Sequence, residues 1–239
     1  MPLCTRRSNL TTPTDILVIT PHPDDAEFGV AGTVARWTAT GKQVVYVVCT
    51  NGNKGTSDTS LKPEQLSQIR IQEQKNAAKV LGVSEVIFLA YPDQGLEDTP
   101  DFRKQIVRLI RQYRPHTIVT ADPYRRYIWH RDHRITGQVV LDAVFPYARD
   151  YLAYPDLIEE GLMPHKVQEL LFWAAEDINY RSDISDTFDL KVEALRCHES
   201  QMREREEPNP ADFLRKRCRD IAMNEDFELG EAFHRIELS

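Results

Sequence analysis

The chain is poor in the features that direct a sequence to the cell surface, a membrane or nucleic acid. Its four cysteines, Cys4, Cys49, Cys197 and Cys218, are widely spaced and include no C-x-x-C pair, so they read as reduced thiols rather than a disulfide framework. Long apolar runs are missing too. The longest, Val44–Cys49 and Glu169–Ala175, are strand-sized and far shorter than the roughly 20 residues that cross a bilayer. There is no excess of positive charge. The formal net charge of −7, with no basic patch interleaved with aromatics, argues against affinity for nucleic acid or an anionic membrane surface. No apolar segment follows Arg6 and Arg7, so a secretory signal is not expected and a cytoplasmic protein is. No internal repeat or low-complexity tract occurs. A G-x-G-x-x-G turn after the first apolar strand is absent as well. Only Gly29 and Gly32 lie there, behind acids that would repel a pyrophosphate, which disfavours a non-catalytic nucleotide-binding module.

What is present is ordinary in bulk and particular in detail. With 239 residues, 41% hydrophobic and 28% charged, the sequence suits one domain with a sizeable core. We expect a single domain over 1–239, with 1–14 a loose N-terminal segment and 207–239 a C-terminal appendage that packs through Phe213 and Phe227. Continuous apolar strands are expected at 15–20, Gln43–Thr50, Val86–Ala90, His116–Ala121 and Leu170–Ala175. Helices are expected at Gly29–Thr40, Pro63 to about Leu81, Phe102–Tyr113, about Asp132–Phe145 and Asp189–Glu206. Strands alternating with helices imply right-handed crossovers and a mainly parallel sheet covered on both faces, a Rossmann-like three-layer α/β sandwich. Loops 21–27, 51–56, 91–96 and 122–133 then share the edge at the C-terminal ends of the strands, where ligands bind in such sheets.

The first of those loops carries Pro21-His22-Pro23-Asp24-Asp25-Ala26-Glu27-Phe28-Gly29 directly after the apolar run Ile16–Thr20. Two adjacent carboxylates and an imidazole are costly to bury without a partner, and a divalent metal is the obvious one. A helix N-cap would explain one aspartate, but not both acids together with the histidine. The fourth loop carries His130-Arg131-Asp132-His133, two histidines at i and i+3 that can face one way. Together with His22 and Asp25 they supply enough donors for a catalytic zinc site, which keeps three protein ligands and an open position for water. Asp132 either orients a ring N–H of a ligand histidine or caps its helix. Arg70 reads from the residues alone as a solvated charge or an ion pair with Glu73 at i+3. Glu27 supports the first loop near a helix N-terminus. His198 is a core or helix-surface residue, or one near the site mouth.

His22-Pro23-Asp24-Asp25-x-Glu27-x-Gly29, Arg70-x-x-Glu73, Pro92-Asp93-x-Gly95-Leu96, His130-x-x-His133 and His198-Glu199-Ser200-Gln201 together resemble the LmbE-like or PIG-L family of zinc-dependent de-N-acetylases. The resemblance covers most of residues 15–205 and is similar in form to the branch holding the bacillithiol-pathway and chitobiose deacetylases. It implies removal of an N-acetyl group from an N-acetylglucosamine-type substrate, a GlcNAc conjugate or chitooligosaccharide, by metal-activated water. It implies His22, Asp25 and His133 as ligands of one Zn²⁺, with Fe²⁺ or Co²⁺ accepted by the same donors. Asp24 is then the general base, a protonated His130 the oxyanion stabiliser, and Arg70 and Asp93 substrate contacts, with Asp132 and Glu27 behind the ligands. It also implies a homo-oligomer, a trimer or hexamer. A hydrolase of another amide or ester on the same scaffold is the alternative. Phosphoester cleavage is disfavoured, since it commonly uses two metals and ligands for only one are found. Between Asp122 and Arg131 the sequence is more basic and aromatic than the family pattern, with Arg131 where many relatives have proline. Arg125, Arg126 and Arg131 suit an anionic aglycone such as a malyl or phosphoryl group. Tyr124, Tyr127 and Trp129 suit stacking on sugar rings, and either set suits an oligomer contact.

Overall fold

A computed structural model describes residues 12–202 and 210–238. Five parallel strands form its centre: β1 (Ile16–Thr20), β2 (Val44–Thr50), β3 (Glu85–Tyr91), β4 (Thr117–Ala121) and β5 (Glu169–Trp173). The crossovers are α1 (Asp25–Ala39), α2 (Pro63–Val80), α3 (Pro100–Tyr113) and α4 (Arg131–Asp142), the last running into a wide turn at Ala143–Tyr147 before the short α5 (Pro155–Glu159). Next in the chain are β6 (Tyr180–Asp183), α6 (Phe188–Arg196), α7 (Glu199–Met202), α8 (Pro210–Ala222) and β7 (Gly230–Glu237). The seven strands lie in the order β3-β2-β1-β4-β5-β7-β6, with β7 antiparallel to both β5 and β6. This is the α/β architecture expected, completed by an antiparallel edge.

Alternation along the strands divides the core into two layers. Leu17, Ile19, Val45, Val47 and Cys49 pack against α3 and α4 through Phe102, Ile106, Ile110, Val139 and Val140. Ile16, Val18, Val44 and Tyr46 face α1, α2 and α6 through Val30, Val34, Ala77 and Ala194. Burial on both sides is why these strands read as unbroken apolar runs. Among the described residues, the fully buried Arg111 of α3 forms no ion pair with a carboxylate. Instead it donates to the carbonyls of Tyr147, Ala148, Asp150, Ala153 and Tyr154, and so pins the connector between α4 and α5.

Several expectations are corrected. The first helix begins at Asp25, not Gly29, so Asp25 and Glu27 lie in its first turn, where acids are favoured. The helix expected over Asp189–Glu206 ends at Arg196. Cys197 and His198 separate it from α7, and 203–209 lie outside the described residues. Residues 1–11, including Cys4, lie outside them too, whereas the backbone N–H groups of Thr12 and Thr14 bond to Gln112 and Tyr113 at the end of α3. The two antiparallel strands were not expected at all. In β7 charged and apolar residues alternate, and the edge strand β6 has four residues, three of them polar. Of the segment expected as an appendage, residues 230–237 are thus a strand between β5 and β6.

A buried ion pair holds that strand in place. Glu231 of β7 accepts from Gly32 N (3.0 Å), Thr33 N (2.8 Å) and Thr33 Oγ1 (2.6 Å) of α1 and from Lys191 Nζ of α6 (2.6 Å). Lys191 also donates to the carbonyls of Glu27 and Phe28 at 2.9 Å each. Among the described residues, no helix is long and apolar enough to cross a membrane. Lys191→Met leaves the Glu231 carboxylate buried without its cation, and should lower stability by about 3–5 kcal/mol in urea denaturation. The double variant Lys191→Met/Glu231→Leu should recover part of that loss.

Candidate active site

The β1–α1 turn, the β2 and β3 exits and the start of α4 converge at one end of the sheet. Asp24 stands at the N-cap position of α1 with φ 91°, a left-handed conformation that strains any residue with a Cβ, and its side chain makes no capping bond. Its carboxylate instead lies 3.4 Å from Arg70 Nη2, and its N–H donates to Gln74 Oε1 at 3.1 Å. The capping explanation for Asp24 therefore fails. Gly137 lets α4 approach the end of β4, since a Cβ there would collide with the Ala121 carbonyl. That close approach brings His130 and His133 over the turn that carries His22.

Asp25 spans two histidines. One oxygen lies 2.9 Å from His22 Nδ1 and also accepts from His22 N at 2.9 Å, and the other lies 3.1 Å from His133 Nε2. The far side of the His22 ring meets two more acids, with Nε2 3.1 Å from Asp93 and 3.2 Å from Asp132. Three carboxylates thus surround one imidazole that is only 7% exposed. Burial opposes charge on that ring, but hydrogen bonds to Asp132 and Asp25 overcome it and push its pKa up to about 11. Asp25 sits well below the usual carboxylate range. Burial would raise it, and His133 and His22 more than offset that. Asp24 is pushed up to about 6 by burial, tempered by Arg70.

The pattern tests whether a cation fits. His22, His130 and His133 can bring one ligand atom each within 4.8 Å of one another, and so can His22, Asp93, His130 and Asp132. His133 Nδ1 is buried without a partner. Nitrogen and carboxylate donors in this proportion suit a borderline divalent ion, and the acids around His22 call for more positive charge than one imidazolium supplies. The residues fit a metal.

The remaining expected site residues fall into two groups. His130 is exposed, with its ring 4.6 Å from that of His22. Its Nδ1 accepts from Asp132 N at 3.1 Å, and its pKa is lowered by burial, then by His22 and His133. With Nδ1 taken up as an acceptor, Nε2 is the ring nitrogen left to donate. Asp132 does not orient its neighbour His133. It holds His22, and accepts from Gln94 N (2.7 Å) and Leu96 N (3.3 Å). Arg70 and Asp93, expected to touch substrate, are each only 4% exposed. Arg70 donates to the carbonyls of Gly52 (3.1 Å) and Pro23 (2.5 Å), and Asp93 accepts from Lys54 N at 3.2 Å.

Glu27 is fully buried, bonded by Gln74 Nε2 at 2.8 Å and paired with His198 Nε2 at 3.3 Å. His198 thus lies beneath the turn, not at its mouth. The partner expected for Arg70, Glu73, instead accepts from Ser200 N and Oγ, at 2.7 Å each. Two neighbours were missed from the sequence. Gln74 links Asp24 to Glu27, and nothing in its local pattern distinguishes it from other helix-surface glutamines. Trp173 lies against Gly29, with its ring 5.4 Å from that of His133, and reads in sequence only as an apolar residue of a strand.

Histidines, a bridging carboxylate and one further acid at the strand ends of a parallel sheet form the donor set of a metal-assisted hydrolytic site. The chain belongs to the PIG-L family, described as GlcNAc-PI de-N-acetylase, whose profile matches residues 17–144. It is 39% identical over 189 residues to the diacetylchitobiose deacetylase of Thermococcus kodakarensis, covering 79% of this chain and 70% of that protein. It is 29% identical to the 1D-myo-inositol 2-acetamido-2-deoxy-alpha-D-glucopyranoside deacetylase of Mycobacteroides abscessus, covering 78% of this chain and 81% of that one. The structure of N,N'-diacetylchitobiose deacetylase from Pyrococcus horikoshii superposes with a TM-score of 0.87 at 31% identity, covering 94% of this chain and 84% of the other.

Arg70 clamps the Pro23 carbonyl and faces the Asp24 carboxylate from α2, so its loss should move the turn rather than empty it. Arg70→Lys, which keeps the charge but not the two-point grip, should lower kcat about 10–100-fold. Metal content per chain, measured by elemental analysis, should stay unchanged.

Proposed function

We propose that the chain is a metal-dependent N-deacetylase that hydrolyses the acetamide of an N-acetylglucosamine-type substrate, working as one catalytic domain. The observation that carries this reading is the spare, half-buried carboxylate of Asp24 beside the His22–Asp25–His133 cluster. A site that only bound metal would have no use for it. His22, Asp25 and His133 would hold one Zn²⁺, and the same donors accept Fe²⁺ or Co²⁺. Asp93 and Asp132 lie against His22 Nε2 and so keep a hydrogen there, which leaves the Nδ1 lone pair on the Asp25 side for the ion.

When bound, such an ion lowers the pKa of water toward ~7 and polarises a carbonyl. Asp24, aimed by Arg70 and tied through its N–H to Gln74, takes the proton of the attacking water and returns it to the departing amine. Its raised pKa suits the return step. His130 donates from Nε2 to the amide oxygen as negative charge develops there, and a neutral ring serves, because its Nδ1 is already an acceptor. Arg70 and Asp93 act from behind the turn. The family resemblance extends the proposal to a cytoplasmic homo-oligomer, a trimer or hexamer. The same groups would also open another amide or an ester.

Free-amine release from N-acetylglucosamine, chitobiose and their conjugates, with added Zn²⁺ and after chelation, tests the reaction directly. Chelator-sensitive release is expected; with bound zinc confirmed, silence on every sugar would leave another amide or ester as the substrate. Asp24→Ala should keep its metal and lose about 10²–10⁴-fold in kcat. Loss of metal instead would exchange the roles of Asp24 and Asp25. His133→Ala should empty the site, and a fully metallated, active variant would overturn the ligand set.

A further inference from the structure

Asp24, Asp25 and His133 line one end of a cavity of about 440 Å³. Gln74 does not line it, and yet bonds directly to the backbone of Asp24. Helix α2 carries four glutamines, Gln65, Gln68, Gln72 and Gln74. The first three are exposed, whereas Gln74 is fully buried. Its carboxamide is used at both ends. Oε1 accepts from Asp24 N at 3.1 Å, and Nε2 donates to Glu27 Oε1 at 2.8 Å. An N–H on one side and a carboxylate on the other fix which end is which. Burying such a group is costly unless both ends are met, and here both are met by the turn that carries the acids.

The bond to Asp24 bears on a single peptide group. Pro23 C=O and Asp24 N–H belong to the same planar unit. Arg70 Nη2 holds its oxygen at 2.5 Å, and Gln74 Oε1 holds its nitrogen. Arg70 and Gln74 stand at i and i+4 on one buried face of α2, so one helix grips that unit at both ends. The unit leads directly into the φ of 91° at Asp24. A left-handed conformation of that kind persists only where its neighbours over-determine it. Glu27 closes the arrangement. One of its oxygens takes the Gln74 amide and the other lies 3.3 Å from His198 Nε2, while Lys191 Nζ holds the Glu27 carbonyl at 2.9 Å. Gln74 therefore cannot turn over without setting its oxygen against the Glu27 carboxylate. Glu73, beside it on α2, accepts twice from Ser200 at 2.7 Å and fixes the helix against α7.

On the reading above that Asp24 is the general base, we infer that Gln74 is a positioning residue for the hydrolysis. Being fully buried, it touches no substrate. It acts by holding the Pro23–Asp24 peptide, and with it the Asp24 carboxylate, in the one orientation that faces the metal cluster. The role needs an acceptor toward Asp24 and a donor between positions 27 and 74, whichever of the two supplies it. Exchanging the pair should therefore preserve it. In Glu27→Gln/Gln74→Glu a carboxylate at 74 accepts from Asp24 N, and an amide at 27 donates to that carboxylate.

Amine release from N-acetylglucosamine and diacetylchitobiose by the zinc-loaded enzyme, above neutral pH, tests this together with exchange of the Asp24 amide hydrogen followed by NMR. Gln74→Met keeps the volume and removes both bonds. It should lower kcat about 10–100-fold, with KM within about twofold and zinc content unchanged, and speed Asp24 exchange at least about tenfold. Gln74→Glu sets two carboxylates face to face and should lower kcat by a similar factor. Adding Glu27→Gln should then restore kcat to within about fivefold of wild type. An unchanged kcat in Gln74→Met, a loss carried by KM or by zinc content, or a swapped pair no faster than Gln74→Glu would overturn the inference. Equal Asp24 exchange in wild type and Gln74→Met would overturn it too. If Gln74→Met does not fold, Gln74→Glu and the swapped pair decide. Absence of amine release by wild type from either sugar would count instead against the deacetylase reading, and the exchange rates would still decide whether Gln74 holds the turn.

Discussion

Three carboxylates crowd one buried imidazole at the end of the first strand, and the rest of the site is arranged around that charge. Asp25, Asp93 and Asp132 reach His22 from three elements, the start of α1, the loop after β3 and the first turn of α4. Each acid would be costly alone in a largely buried place. Gathered together they define a cavity for positive charge, and they draw the loops around it. The bonds from Lys54, Gln94 and Leu96 N–H groups to Asp93 and Asp132 are what keep those loops closed over the sheet edge. Stability and function meet here, since the groups that would hold a metal also tie three crossovers together.

A second layer of buried charge lies under the first. Glu27, Gln74 and His198 fix the backbone of the turn, while Arg70 holds the Pro23 carbonyl and faces Asp24. The left-handed φ of Asp24 is consistent with this support, because strain of that kind persists only where neighbours over-determine the conformation. Farther along α1, Glu231 and Lys191 bring β7 and α6 onto the helix, so the antiparallel edge of the sheet also forms a wall of the cavity beside the cluster. The PIG-L profile match over residues 17–144 thus falls on the parallel part of the sheet, while α8 and β7 line part of the cavity.

The parallel core was legible because its strands are buried on both faces, which leaves unbroken apolar runs between helices of the right length. The HPDD turn and the His130–His133 pair were legible because acids and imidazoles directly after such runs have no structural excuse. Strands β6 and β7 were not, because half-exposed antiparallel strands tolerate charge and erase the pattern. The partners of Arg70, Asp132 and His198 were equally hidden. Sequence spacing favoured near neighbours such as Glu73 for Arg70, whereas the structure supplies Pro23 and Gly52 from other loops.

By itself, then, the sequence determined the α/β class, the sheet edge that carries the chemistry and the residue types able to bind a metal there. These rest on hydrophobic periodicity and the cost of burying charge, which act locally along the chain. Only the tertiary structure decided which carboxylate faces which nitrogen, that Arg70 and Asp93 are buried, and which acids pair with the arginines after β4. Those outcomes depend on distances between residues dozens of positions apart, and no local rule of spacing contains them.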